Sequence, residues 1–92
     1  MQVLETLNKR HALQIFREIH RSKVISSSEL VVESGVHVMQ VYRVLEALSA
    51  RGLVVREEKV PEGGAPYVFW SVTERGTGVL DLLERLGKMM EE

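Results

Sequence analysis

The chain has no cysteine, which excludes disulfides and any thiolate-held metal. No apolar run approaches the roughly 20 residues that a membrane span needs. The opening Met-Gln-Val-Leu-Glu lacks the basic-then-apolar pattern of a signal peptide. The expectation is an intracellular, cytoplasmic chain with no membrane partner. Proline occurs twice, at Pro61 and Pro66 on the two shoulders of one loop. The net charge is only −1, so the total does not advertise a polyanion partner.

Catalytic chemistry is missing as well. Ser26, Ser27 and Ser28 cluster without a paired base. Gly63-Gly64 lies between prolines and precedes no helix, so it is not a phosphate loop. His11 and His20 stand nine residues apart on one expected helix, too far to share a metal, and His37 is placed to start another helix. Neither an enzyme, a cofactor nor a metal centre is expected.

What is present suits one small domain. The 92 residues are 45% apolar and 27% charged, enough for a core under a solvated surface. A chain this short buries only about 60–65% of its unfolded surface, so burial against a second copy would help it. The charge is unevenly spread. Residues 1–60 carry +2 and residues 61–92 carry −3. Residues 8–23 alone hold Lys9, Arg10, Arg17, Arg21 and Lys23 against Glu18, so one face is able to meet phosphate while the other points away.

Periodicity divides the chain as follows. Residues 1–8 read as an N-terminal arm carrying Val3, Leu4 and Leu7. Asn8 is placed to cap a helix over 9–22, whose stripe is Leu13, Phe16 and Ile19 with Ala12 and Ile15 beside it. Val24-Ile25 is a stub of strand. Ser26 and Glu29 match a capping box opening a helix over 27–34. Gly35 then reverses the chain into the central helix, 37–51, whose Val41, Val44, Leu45 and Leu48 recur at amphipathic spacing. Gly52 stops it as a C′ glycine would. A β-hairpin covers 53–72, with Val68, Trp70 and Val72 on its core face. Thr73 caps a last helix over 74–90, where Val79, Leu82, Leu83, Leu86, Met89 and Met90 fall near heptad spacing.

The order of these elements resembles the winged helix-turn-helix transcription regulators. The resemblance covers residues 9–90. It is carried by S-S-E-L-V-V-E-S-G-V-H-V-M-Q-V-Y-R-V-L-E-A-L-S-A-R-G-L-V and by the wing exit G-G-A-P-Y-V-F-W-S-V-T-E-R-G, which is similar to the end of PadR-type and MarR-type wings. It implies an α+β, mostly α fold: a three-helix core, a two-stranded β wing and a C-terminal dimerisation helix. It also implies a nucleoid-associated homodimer, a repressor in the simplest case, on an inverted repeat of double-stranded DNA.

Carried over by position, the DNA-facing residues are His37, Val38, Met39, Gln40, Tyr42 and Arg43 on the recognition helix. Ser27, Ser28, Arg56 and Lys59 are phosphate candidates. Gln40 and Arg43 have the chemistry for base edges, amide for adenine and guanidinium for guanine. The dimer interface is expected at Val3, Leu4, Leu7, Val79, Leu82, Leu86 and Met89. Some ArsR-type regulators hold metal on the last helix. Here that helix has Asp81 but no His or Cys, so metal sensing is not expected.

One departure opens a second reading. The leading turn, His37-Val38-Met39-Gln40, is apolar where such regulators more often place Ser, Thr or Arg. With Tyr67 and Phe69, Val38 and Met39 would also make a protein-docking surface. A non-specific architectural DNA binder is a third reading, opposed by the low net charge.

Overall fold

The structure is a computed structural model that describes residues 2–91, with side chains from 3 to 90. Its first helix, α1 (Gln2–Leu7), is short, and the second, α2 (Ala12–Ser22), begins later than the Asn8 cap implies. The Asn8 amide bonds back to the Leu4 carbonyl at 2.9 Å and that of Lys9 to Thr6 at 3.2 Å. Residue 8 therefore closes α1 instead of opening α2. His11 takes the left-handed φ of 64° ahead of α2 and makes no side-chain cap bond. The arm also folds onto its own core: Thr6 and Leu7 are buried and Val3 packs beside them, while Leu4 stays exposed. Leu7 is thus consumed inside the chain and is not available to a second copy.

Along α2, Ala12, Ile15, Phe16 and Ile19 are buried. The helix leaves through Lys23, at φ 68° and ψ −56°, with Val24 N–H donating to the Ser22 carbonyl at 2.8 Å. That is a positive-φ γ-turn, a rare and strained arrangement. It delivers β1 (Ile25–Ser26) to the sheet.

Helix α3 (Ser27–Ser34) opens on the expected cap. Ser26 Oγ accepts from Glu29 N–H at 3.2 Å, and its hydroxyl donates to the Glu29 carboxylate at 3.1 Å. Gly35, at φ 67°, closes α3, and Val36 N–H donates to Ser34 Oγ at 3.2 Å.

Helix α4 (Val38–Ala50) buries Val41, Val44, Leu45 and Leu48. Its end is a Schellman motif: Gly52 N–H reaches Ser49 O and Leu53 N–H reaches Leu48 O, both at 3.0 Å. Gly52 supplies the left-handed φ of 69°, and Leu48 and Leu53, the apolar pair of the motif, are fully buried.

The hairpin is β2 (Val54–Lys59) and β3 (Tyr67–Val72). The expected two-stranded wing is the larger part of a three-stranded antiparallel sheet, ordered β1-β3-β2. Ile25 stands opposite Trp70, and Trp70 opposite Arg56. Trp70 is buried, and its indole N–H donates to Ser27 Oγ at 2.8 Å, tying the sheet to the start of α3. The core lies between α2, α3, α4 and the inner face of this sheet.

Helix α5 (Glu74–Glu91) docks only by its first turns. Gly76 is buried, Leu80 joins the core, and Val79 and Leu83 pack against it. Leu80, absent from the expected stripe, is the residue that anchors the helix. Beyond Leu83 the apolar positions are open: Leu86 is 53% exposed, Met89 72% and Met90 85%.

Candidate nucleic-acid interface

An amphipathic helix packed by one stripe must show the other, and α4 shows Val38, Met39, Tyr42, Arg43 and Glu46. His37 is its N-cap, with Nδ1 accepting from Met39 N–H at 3.2 Å. Since that ring nitrogen accepts, the proton of a neutral imidazole sits on Nε2, a donor on the exposed side. Gln40 is half buried and differently engaged. Its amide donates to the Arg10 carbonyl at 3.2 Å, so in this arrangement a bidentate adenine contact would have to give up that tie.

Two adjoining depressions flank this face. One, of about 580 Å³, lies between α4 and the α1–α2 turn and is lined by Lys9, Arg10, Gln40 and Arg43, with Glu46 as its one acidic residue. The other, of about 430 Å³, continues past Arg10, Gln40 and Arg43 to His11, His37 and Met39, and no acidic residue lines it. Lys9, Arg10 and Arg43 have no ion-pair partner among the described residues. Lys9 and Arg10 were not among the expected contacts. Their signal was the positive run at 8–23, but only the fold carries them to α4. Arg21, from the same run, is instead held by the Glu18 carboxylate at 2.5–2.6 Å, a hydrogen bond and charge that raise its pKa above the ordinary value.

The remaining expected contacts divide. Ser28 is exposed at the start of α3, but Ser27 is buried and bonded to Trp70, so it has no path to phosphate. Arg56 and Lys59 stand an odd number of residues apart on β2 and face opposite sides of the wing. Arg56 shares its side with Trp70 and lies 3.8 Å from Glu58. Lys59 sits 5.4 Å from the Phe69 ring centre, and that ring is 6.2 Å from Tyr67. The wing therefore presents these two cations on opposite faces. Tyr67 is exposed and Phe69 half buried.

Of the expected interface between copies, Leu82, Leu86 and Met89 form an open stripe on α5, with Leu4 also exposed. Val3 and Val79 are partly buried within the chain itself. Among the described residues no three His, Asp or Glu side chains gather to hold a metal. Among the described residues no helix is long and apolar enough to cross a membrane.

By sequence, no protein-family model and no curated protein matches the chain. Solved structures match its fold closely. One is described as a MarR-family transcriptional regulator from Enterococcus faecalis, with TM-score 0.83, 24% identity, 96% of this chain and 78% of that one. The reduced form of the regulator YodB from B. subtilis gives TM-score 0.81 at 16% identity over 94% and 82%. A protein from Salmonella typhimurium described as a transcriptional regulator gives TM-score 0.75 at 26% identity over 97% and 78%. The fold is that of the MarR-like winged helix.

Proposed function

We propose that this chain is a sequence-specific, double-stranded-DNA-binding transcription regulator that acts as a homodimer, in the simplest case a cytoplasmic, nucleoid-associated repressor that blocks promoter access. One observation carries the reading. The exposed face of α4 adjoins a cationic turn, in a fold shared with proteins described as transcriptional regulators.

In this reading α4 is the recognition helix and lies in a major groove. Arg43 is the base reader, its fork of donors suited to guanine. Val38 and Met39 meet thymine methyls, and His37, Tyr42 and Ser28 donate toward phosphate. The open stripe of Leu82, Leu86 and Met89, with Leu4, pairs two copies along α5. That places two recognition helices on one side of a duplex, where half-sites about 34 Å apart would match them.

The exposed Val38, Met39 and Tyr67, at 40%, 57% and 55%, favour the second reading, an apolar docking surface for another protein. Selection from random duplex DNA, with the bound complex sized by light scattering, separates the two. An enriched inverted repeat held by a dimer supports the regulator. No enrichment, with partner binding insensitive to salt, supports the docking module, because phosphate contacts make affinity fall steeply with salt.

A further inference from the structure

We propose that Lys9 and Arg10, on the turn between α1 and α2, are phosphodiester contacts beside the recognition helix, and that Gln40 is the residue that positions them. The inference rests on the DNA-binding reading and adds to it a second element that grips the backbone.

Lys9 and Arg10 are exposed, yet they line the same depression as Arg43, with Glu46 the one acid among them. Through Arg10 and Arg43 that depression continues into the second one. The result is an elongated trough along one flank of α4, and a trough suits an extended strand of phosphates better than a compact anion. Unpaired cations on both walls leave the strand's charge to answer theirs.

Phosphate contacts fix a protein's register on a duplex. Here the Arg10 carbonyl is bound by the Gln40 amide of α4 at 3.2 Å. One residue later, His11 Nδ1 meets Gln14 Oε1 at 3.2 Å, and the Gln14 amide donates to the Ser34 carbonyl of α3 at 3.0 Å. The turn is thereby tied to both helices of the helix-turn-helix. It holds a non-glycine residue, His11, in a left-handed φ of 64°, a conformation that persists only where surroundings impose it.

The test compares the full-length chain with Lys9→Gln/Arg10→Gln, on the selected duplex and on a scrambled one, across a salt series. Each phosphate contact contributes about 0.9 to the slope of log affinity against log salt, or roughly eightfold at about 0.1 M salt. The double variant is expected to bind both duplexes more weakly by the same factor, with a shallower slope and unchanged sequence preference. The charge-keeping pair Lys9→Arg/Arg10→Lys should bind as the parent does, and thermal melting checks that each variant folds. Gln40→Leu should lower affinity on both duplexes without relaxing preference at any base.

A double variant with the parent's slope overturns the contacts while leaving the DNA reading intact. Failure of the charge-keeping pair to rescue also overturns them. Preference relaxed at one base by Gln40→Leu would make Gln40 a base reader and end its positioning role. If the parent chain itself binds no duplex, the DNA reading falls and this inference with it.

Discussion

Helices α4 and α5 have much in common in sequence. Each is amphipathic, and each begins beside a residue with a side-chain cap, His37 for α4 and Thr73 for α5. They end in different situations. Every residue of the Val41, Val44, Leu45 and Leu48 stripe is covered by the chain's own core. Among the described residues of α5 only Leu80 reaches that core, with Val79 and Leu83 at its margin, and Leu82, Leu86, Met89 and Met90 face outward. The same pattern therefore has two physical meanings. On α4 it specifies the interior of one chain, and on α5 it specifies a surface that remains apolar until something covers it.

The sharpest way to break this contrast is to truncate one leucine on each helix. Leu48→Ala should cost about 3 kcal/mol, within the 2–5 kcal/mol of cavity-forming core changes. Leu86→Ala, at a half-exposed site, should stay within about 0.5 kcal/mol at low protein concentration. If α5 pairs two copies, the parent's melting temperature rises with protein concentration, and Leu86→Ala should flatten that rise. Denaturant unfolding of both variants at two concentrations checks the pair. Equal losses for both, independent of concentration, would mean that Leu86 belongs to a core within the chain.

A smaller effect of opposite signs comes from the glycines of α5. A Cβ on Gly76 would fall 2.2 Å from the Leu53 carbonyl oxygen and 2.7 Å from Val72 Cγ1, whereas one on Gly87 would meet nothing within 4 Å. Gly76→Ala should therefore destabilise by about 2 kcal/mol, as overpacking against backbone does. Gly87→Ala should stabilise by up to about 1 kcal/mol, through helix propensity alone. Thermal melts at low concentration decide it. A neutral Gly76→Ala would show that α5 docks less closely than Leu53 and Val72 imply.

Most of the fold is legible in the sequence because it is governed by local signals. The Ser26–Glu29 cap, Gly35, the four-residue stripe of α4, Gly52 and the Trp70 face of the wing are all short-range chemistry, and the structure places each where that chemistry requires. The start of α2 lies later than local chemistry implies, because Asn8 is a good cap by type while Leu4 and Thr6 carbonyls claim the amides of residues 8 and 9. The site was less legible for a related reason. Whether Ser27 donates to solvent or accepts from Trp70, 43 residues away, is not a property of its neighbours in the chain. Nor is the partnership of Gln40 with Arg10, 30 residues back. The opposite facing of Arg56 and Lys59, by contrast, was available from the period of two along a strand.

The smallest expected effect lies where the two helices join. Thr73 Oγ1 donates to the Gly52 carbonyl at 2.6 Å and accepts from Gly76 N–H at 3.0 Å, while Thr73 N–H donates to the Leu53 carbonyl at 3.0 Å. One hydroxyl thus fastens the end of α4 to the beginning of α5. Thr73→Val keeps the shape but leaves a carbonyl and an amide without that partner, and should cost about 1 kcal/mol, the usual worth of an N-cap. Thr73→Ser keeps both bonds and should lose only a few tenths. Amide exchange at Gly76 gives the local reading: faster in Thr73→Val, close to the parent in Thr73→Ser. If neither variant changes that rate, packing by Gly76 and Leu80 holds the junction without the hydroxyl, and the two helices differ only in how much of each stripe is covered.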